Sequence, residues 1–382
     1  MTSTTNMLND LYAEIAESLN ISKTMEDKAI RAYQSVGNCI GSSPEHDVEI
    51  YPQGSFALGT VVRPLSGEDN DYDIDLVSRI KGMDAEPPKC VKAFVGNQLK
   101  SDNTYRQKLD PEGKRCWTLQ FDDFHMDVLP CTNVWGSADT KSTAIRLTNK
   151  NDDGGYENRY SNPHEYCKWF ESQMGEVFVR AKRRKAQEIQ GSIETVKTYQ
   201  VRTPLQMAIQ ILKHHRNVMF NGKDDAPISI IITTLAADAY AGSNGIEGVF
   251  DTVDYVLEHM EEHIIRIGQE YVIPNPTNKD ENFAEKWNED PNKAMAFFMW
   301  RNRAQIDLVK SPRNQSGIYA IGGSLMKALG EPMTKRALDA YGERLTQARN
   351  HDNLYAGIDG ISIGATVGAN KVPKHQFFGS TN

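Results

Sequence analysis

Two short stretches decide how this chain folds: Gln53-Gly54-Ser55-Phe56-Ala57-Leu58-Gly59-Thr60 and Asp71-Tyr72-Asp73-Ile74-Asp75-Leu76-Val77. The second alternates with the period of a strand. Asp71, Asp73 and Asp75 share one face, while Tyr72, Ile74 and Leu76 share the other. Val48 to Tyr51 predicts a short strand ahead of the first stretch. Gly54-Ser55 then predicts a turn into a helix starting at Ser55, whose free N–H groups would suit phosphate. Gly54 and Gly59 have the separation of a P-loop, but Thr60 stands where that motif requires Lys, which excludes it. Downstream, Cys116 to Phe121 and Phe124 to Leu129 predict a hairpin turning at Asp122-Asp123. In its second strand Phe124, Met126 and Val128 face one way, and His125 and Asp127 the other.

Carboxylates two residues apart on a strand point the same way, and burying them beside apolar neighbours is costly unless a cation compensates. Mg²⁺ suits Asp73 and Asp75, because it takes hard oxygen ligands from one or two carboxylates plus substrate phosphates. Asp127, on a neighbouring strand, would be a third ligand. Three carboxylates can hold two metals about 4 Å apart, the arrangement used for in-line displacement at phosphorus.

Around this centre the first forty residues read as helical. Thr24-Met25-Glu26-Asp27 resembles a capping box, and Met25, Ala29, Ala32, Tyr33, Val36 and Ile40 follow at helical spacing. Beyond about residue 160 the periodicity becomes helical. Asn162-Pro163 and Thr203-Pro204 read as helix starts, the latter opening Leu205 to Phe220. Further helices are predicted from Pro227 to Tyr240, and at 248–267, 282–300 and 335–349, with an irregular glycine-rich tail from Gly357 to Asn370. The expectation is a mixed α/β domain over 1–160 and an all-helical domain over 161–382.

Composition narrows the function. The chain has 382 residues, and 43 Lys and Arg against 51 Asp and Glu leave a net charge of −8. That balance argues against coating nucleic acid by overall charge. Met1 to Asp10 lacks an apolar signal core, and the run Ile228 to Ala241 is too short and too polar to span a bilayer. The five cysteines (Cys39, Cys90, Cys116, Cys131 and Cys167) are dispersed, as expected in a reducing cytoplasm without a disulfide framework. The expected localisation is therefore cytoplasmic, with no membrane partner.

Strand, Gly-Ser, helix, strand with Asp-x-Asp, and a later strand with one Asp together resemble the DNA polymerase β-like nucleotidyltransferase superfamily. Gln53 through Pro64, Asp71 through Val77 and His125-Met126-Asp127-Val128-Leu129-Pro130 resemble one branch of it, the bacterial CD-NTases. These are the cyclic GMP-AMP synthase/DncV-like nucleotidyltransferases. Thr203 to Arg216, Ile228 to Tyr240, Asn275 to Trp287 and His375-Gln376-Phe377-Phe378-Gly379 extend the likeness over nearly the whole chain.

The resemblance implies an α+β fold: a polymerase β-like core with a mixed sheet, plus a C-terminal helical domain that closes the active-site cleft. It implies an enzyme that condenses nucleoside triphosphates, ATP or GTP, into a cyclic di- or trinucleotide second messenger. The product would act on a separate effector protein in anti-phage (CBASS) signalling, and regulatory partner proteins occur in such systems. Polymeric nucleic acid is not an expected substrate. The cofactor implied is Mg²⁺, two per site, with Mn²⁺ able to replace it. Asp73, Asp75 and Asp127 would be the catalytic and metal-binding residues. Gln53, Gly54, Ser55, Lys213 and Ser229 would bind the nucleotide, chiefly its triphosphate. The family also sandwiches a base on an aromatic ring. Tyr199 and Tyr240 are candidates, and core packing accounts for either equally well.

Two other functions fit the same fold. One is transfer of a nucleotide to an RNA 3′ end, a protein hydroxyl or a small molecule. The other is a non-catalytic nucleotide sensor, which the presence of all three carboxylates disfavours. His259-Met260-Glu261-Glu262-His263 lacks the Glu that a zincin needs after its first His. Lys182-Arg183-Arg184-Lys185 reads as a solvated helix face.

Overall fold

The computed structural model describes residues 3–65, 72–134, 142–357, 360–365 and 368–374. Asp71, the C-terminal His375-to-Gly379 motif and the final Ser380-Thr381-Asn382 lie outside the described residues. In chain order the first half holds α1 (Ser3–Leu19), α2 (Lys23–Gly41), β1 (Val48–Gln53), α3 (Gly54–Leu58), β2 (Tyr72–Ile80), α4 (Pro88–Ser101), α5 (Asn103–Lys108), β3 (Trp117–Gln120), β4 (Phe124–Asn133), β5 (Ile145–Lys150), β6 (Tyr156–Ser161) and α6 (Pro163–Glu188). The second half holds α7 (Pro204–Phe220), α8 (Ser229–Ala241), α9 (Val249–His259), β7 (Ile265–Ile267), β8 (Glu270–Val272), β9 (Pro274–Asn275), β10 (Asn278–Asn282), α10 (Glu285–Glu289), α11 (Pro291–Gln305), α12 (Ser311–Arg313), α13 (Ile318–Leu329), α14 (Glu331–Asn350), β11 (Leu354–Gly357), β12 (Gly360–Ile363) and β13 (Asn370–Lys371).

These elements form two compact units that interleave in sequence: Asn20–Arg202 with Ile267–Glu285, and Met1–Leu19 with Thr203–Arg266 and Lys286–Asn382. The division differs from the single break expected after residue 160, for two packing reasons. The segment after α6 returns to the first unit, where Tyr199 sits 5.2 Å from Phe56 of α3, ring to ring. At the other end, α1 buries Leu8, Leu11, Tyr12 and Ile15 within the helical unit, alongside α7, α9 and α14.

The sheet unit is built on a mixed sheet of order β1-β2-β4-β5-β6, with β3 added on β4. β2 and β4 run parallel, and the other neighbours are antiparallel. Even-numbered residues of β2 and β4 (Ile74, Leu76, Met126 and Val128) enter a core closed by Ala29 and Val36 of α2 and Val91, Val95 and Leu99 of α4. On the opposite face a smaller cluster gathers Val77, Leu129, Cys131, Ile145 and Leu147. That second face is the one on which Asp73, Asp75, His125 and Asp127 stand, one turn of the pleat earlier.

A close approach holds α4 to the sheet. A Cβ on Gly96 would lie 2.3 Å from Trp117 Cζ2, and the Trp117 indole N–H donates to the Lys92 carbonyl at 2.9 Å. Gly96→Val is expected to cost about 1–3 kcal/mol through overpacking. Urea denaturation checks this, and an unchanged midpoint would show that the indole yields freely.

The helical unit packs α1, α7, α8, α9, α11, α13 and α14 around Leu205, Ile209, Leu212, Leu235, Phe250, Val253, Phe297 and Trp300. Tyr12 meets Phe250 edge to face at 5.1 Å. α7 starts as expected: Thr203 and Gln206 form a reciprocal capping box, with Pro204 at the first turn.

Several other elements depart from the sequence reading. Ser22, not Thr24, caps α2, accepting from Met25 N–H. α8 begins at Ser229, not Pro227. The helix expected over 248–267 ends at His259 and gives way to a 3-10 turn and β7. Asp290-Pro291 splits the helix expected over 282–300 into α10 and α11. The tail expected to be irregular carries β11, β12 and β13 as a three-stranded sheet. The C-terminal half is therefore not all-helical, although helices dominate it. No helix among the described residues is long and apolar enough to cross a membrane.

Candidate active site

The site grows out of strand register. In the parallel pair, Asp75 of β2 lies opposite Asp127 of β4, and Asp73 opposite His125. On the other side of β2, Gln53 of β1 lies opposite Asp75. Asp73 is exposed, while Asp75, His125 and Asp127 are half-buried between fully buried Ile74, Leu76, Met126 and Val128. Period-two alternation thus brings the three carboxylates to one face on strands about 4.8 Å apart. The Cys116–Phe121 and Phe124–Leu129 hairpin forms as expected, placing Thr118 opposite Asp127. The Thr118 hydroxyl donates to Asp127 Oδ1 at 2.6 Å.

Gly54 completes the wall above Asp75. Its φ is +62°, a region in which side chains are strained. A Cβ there would sit 2.3 Å from Asp75 Oδ2. The position therefore needs glycine twice, for its backbone and for its proximity to the carboxylate. α3 follows as a helix of 5 residues whose N-cap, Gln53, makes no side-chain capping bond. Thr60 N–H closes back on Ser55 O at 2.9 Å. Ser55 is half-buried at the start of this turn, next to Gly54.

Three carboxylates on one face, with a glycine cradle that a Cβ would fill, fit divalent cations coordinated by oxygen. Among the described residues no three His, Cys, Asp or Glu side chains stand close enough together to hold a metal ion as they are placed. The carboxylates share a face without converging on a point. Burial, together with the Asp127 charge, pushes the neighbouring Cys116 thiol up to about 11, so it stays protonated at neutral pH.

Lys213 and Ser229 belong to the helical unit. Lys213 is buried on α7. Ser229 opens α8 and accepts from Arg216 Nη2 at 3.0 Å, while Arg216 Nη1 also donates to the Pro227 carbonyl. Arg216 went unnoticed in the sequence. Its spacing of three residues from Lys213 on α7 was the available signal. Of the aromatic candidates, Tyr240 is core: it is 1% exposed and donates to Ile246 O at 2.5 Å. Tyr199 is half-buried against Phe56. His259 contacts Glu262 at 2.9 Å, within its own turn.

His214 and His215, beside Lys213, are buried inside the helical unit. His214 Nε2–H donates to the Leu329 carbonyl at 2.8 Å. Burial holds its pKa down at about 4, below the ordinary 6.5. Between those values the unfolded chain binds the extra proton, so acid favours unfolding. This histidine's contribution is complete above pH 6.5 and is lost as pH falls toward 4, by at most about 3 kcal/mol. Urea unfolding at pH 7 and pH 5 is expected to show a larger acid loss in wild type than in His214→Gln. Parallel losses would contradict the assignment.

Residues 7–173 match the family described as Second Messenger Oligonucleotide or Dinucleotide Synthetase domain. A c-di-GMP synthase of Roseivirga ehrenbergii is 28% identical over 354 residues, covering 90% of each chain. The cyclic dinucleotide synthase CdnG of Bradyrhizobium diazoefficiens is 24% identical over 372 residues, covering 92% of this chain and 88% of CdnG. A solved structure of that CD-NTase in complex with GTP superposes with a TM-score of 0.68 at 20% identity, covering 88% of this chain and 99% of the other. The fold, the matched domain and the relatives agree: residues 7–173 carry a second-messenger oligonucleotide or dinucleotide synthetase domain, and the chain is a nucleotidyltransferase similar over most of its length to the CD-NTase CdnG.

Proposed function

We propose that this enzyme condenses nucleoside triphosphates, GTP among them, into a cyclic dinucleotide, with Asp73, Asp75 and Asp127 as its catalytic carboxylates. The observation that carries this reading is the register of Asp75 against Asp127, capped by a glycine that only its missing side chain allows beside Asp75. Relatives named as cyclic dinucleotide synthases, one of them a c-di-GMP synthase, support the product class.

In each of two rounds a ribose hydroxyl oxygen bonds to an α-phosphorus, and the bond to the bridging oxygen breaks. Pyrophosphate leaves, and the hydroxyl proton passes to solvent. Mg²⁺, or Mn²⁺ in its place, supplies Lewis acidity toward the phosphoryl oxygens and makes the hydroxyl more acidic when bound. Asp73 and Asp75 would hold that ion near the start of β2, and Asp127 would add the third carboxylate from the adjacent strand. Gln53, Gly54 and Ser55 form the backbone rim that receives the triphosphate. Lys213 and Ser229 are proposed as further triphosphate contacts, with Arg216 orienting Ser229. The work of the protein is positioning and charge neutralisation, as in other phosphoryl transfers.

The acidic total of −8 suits a small substrate that brings its own cations better than a long polyanion. The product would act on a separate effector in anti-phage signalling. Incubation with Mg²⁺ and all four nucleoside triphosphates, labelled one at a time, names the bases. Label from GTP is expected in the product, and a product without guanine would overturn that substrate choice.

A further inference from the structure

β3 alternates cleanly. Trp117 and Leu119 enter the core, while Cys116, Thr118 and Gln120 stay half-buried on the face that carries His125 and Asp127. Within that row Thr118 is the register partner of Asp127, and its Oγ1 stands 2.6 Å from Asp127 Oδ1. The direction of this bond is fixed by chemistry. An ionised carboxylate carries no proton, so the hydroxyl donates. Thr118 Oγ1 has then spent its only proton and keeps lone pairs. Cys116 Sγ lies 3.7 Å from it and is left as the donor. The Cys116 thiol also hydrogen-bonds Asp127 itself, so both of these side chains lean on the carboxylate, Thr118 by the shorter bond.

We propose that Thr118 is the positioning residue for Asp127, fixing the carboxylate through Oδ1 and reserving Oδ2 for a divalent cation. The inference rests on the two-metal reading above. An aspartate free to rotate about its side-chain bonds samples several rotamers. A short charge-assisted bond opposes that rotation. Partners of this kind orient metal ligands, and their loss commonly weakens metal affinity about 10–100-fold.

The test uses the full chain and Mn²⁺ alone, with free Mn²⁺ followed by electron paramagnetic resonance. Thr118→Val keeps the side-chain shape and removes the donor, while Thr118→Ser keeps the donor. Thr118→Val is expected to weaken Mn²⁺ binding about tenfold or more, with Thr118→Ser restoring it to within about threefold of wild type. If the valine proves unstable in the sheet, Thr118→Ala against Thr118→Ser makes the same comparison. Asp75→Asn serves as the reference. Unchanged affinity in Thr118→Val and Thr118→Ala, with affinity lost in Asp75→Asn, overturns the role of Thr118 and leaves the two-metal reading standing. Unchanged affinity in Asp75→Asn overturns both.

Discussion

Asp75→Asn is expected to lower cyclic product formation by at least about 10³-fold while leaving the fold intact, because the change removes charge where phosphoryl transfer needs it and almost nothing else. Asparagine has the same shape as aspartate and still fits a half-buried strand position. Asp75 is central to the face: Asp127 lies opposite it on β4, Gln53 opposite it on β1, and Gly54 above its carboxylate. On the proposed assignment, loss of its charge would disturb the metal ligands and the triphosphate rim together. Asp73→Asn is expected to behave alike.

Stability separates this outcome from simple unfolding. Asparagine keeps the size and shape of the aspartate side chain, so the melting temperature of metal-free Asp75→Asn should lie within a few degrees of wild type. A variant that is both inactive and several degrees less stable would point to a structural role instead.

Gly54→Ala is expected to cost about 10²-fold or more in turnover, through geometry alone. The residue sits at φ +62°, where a side chain is disfavoured by about 1–2 kcal/mol. Its new methyl would also meet Asp75 Oδ2 at 2.3 Å, well inside contact distance. Either the backbone or the carboxylate must shift, and a displacement near 1 Å at reacting groups can cost about 10²-fold. Turnover and apparent Mg²⁺ affinity should fall together, with a modest loss of thermal stability. Wild-type kinetics in Gly54→Ala would show that Asp75 does not need its present position.

The candidate site was legible because its parts obey a period of two. Asp73 and Asp75 declared a strand face on their own, and Asp127 did so through apolar Met126 and Val128. That Asp75 and Asp127 stand opposite one another depends on parallel pairing between strands separated by α4, α5 and β3, which no local pattern encodes. Thr118 was missed for a different reason: the predicted hairpin turning at Asp122-Asp123 already sets it opposite Asp127, but a lone threonine in a strand has no chemical signature of its own.

The fold was read less evenly. Helices with strong caps, such as α7 with Thr203-Pro204, were plain. α4, which covers the sheet, and α13 were missed. α4 has only a weak apolar stripe, around Val91, Val95 and Leu99. The tail strands β11, β12 and β13 were hidden by glycines that usually mark irregular chain. The assignment of α1 to the helical unit could not be foreseen either. Its apolar face is explicit, but the partner of an amphipathic helix is set by tertiary packing.

The central claim, a carboxylate site that turns nucleoside triphosphates into a cyclic dinucleotide, is tested most directly by the mass of the product. Purified protein is incubated with Mg²⁺ and the four nucleoside triphosphates, treated with phosphatase and analysed by mass spectrometry, with Asp75→Asn alongside. The account predicts a phosphatase-resistant species with the mass of two nucleotides joined without terminal phosphate, absent from the variant. The same species from Asp75→Asn, or a product whose phosphates are all removed by phosphatase, would contradict it.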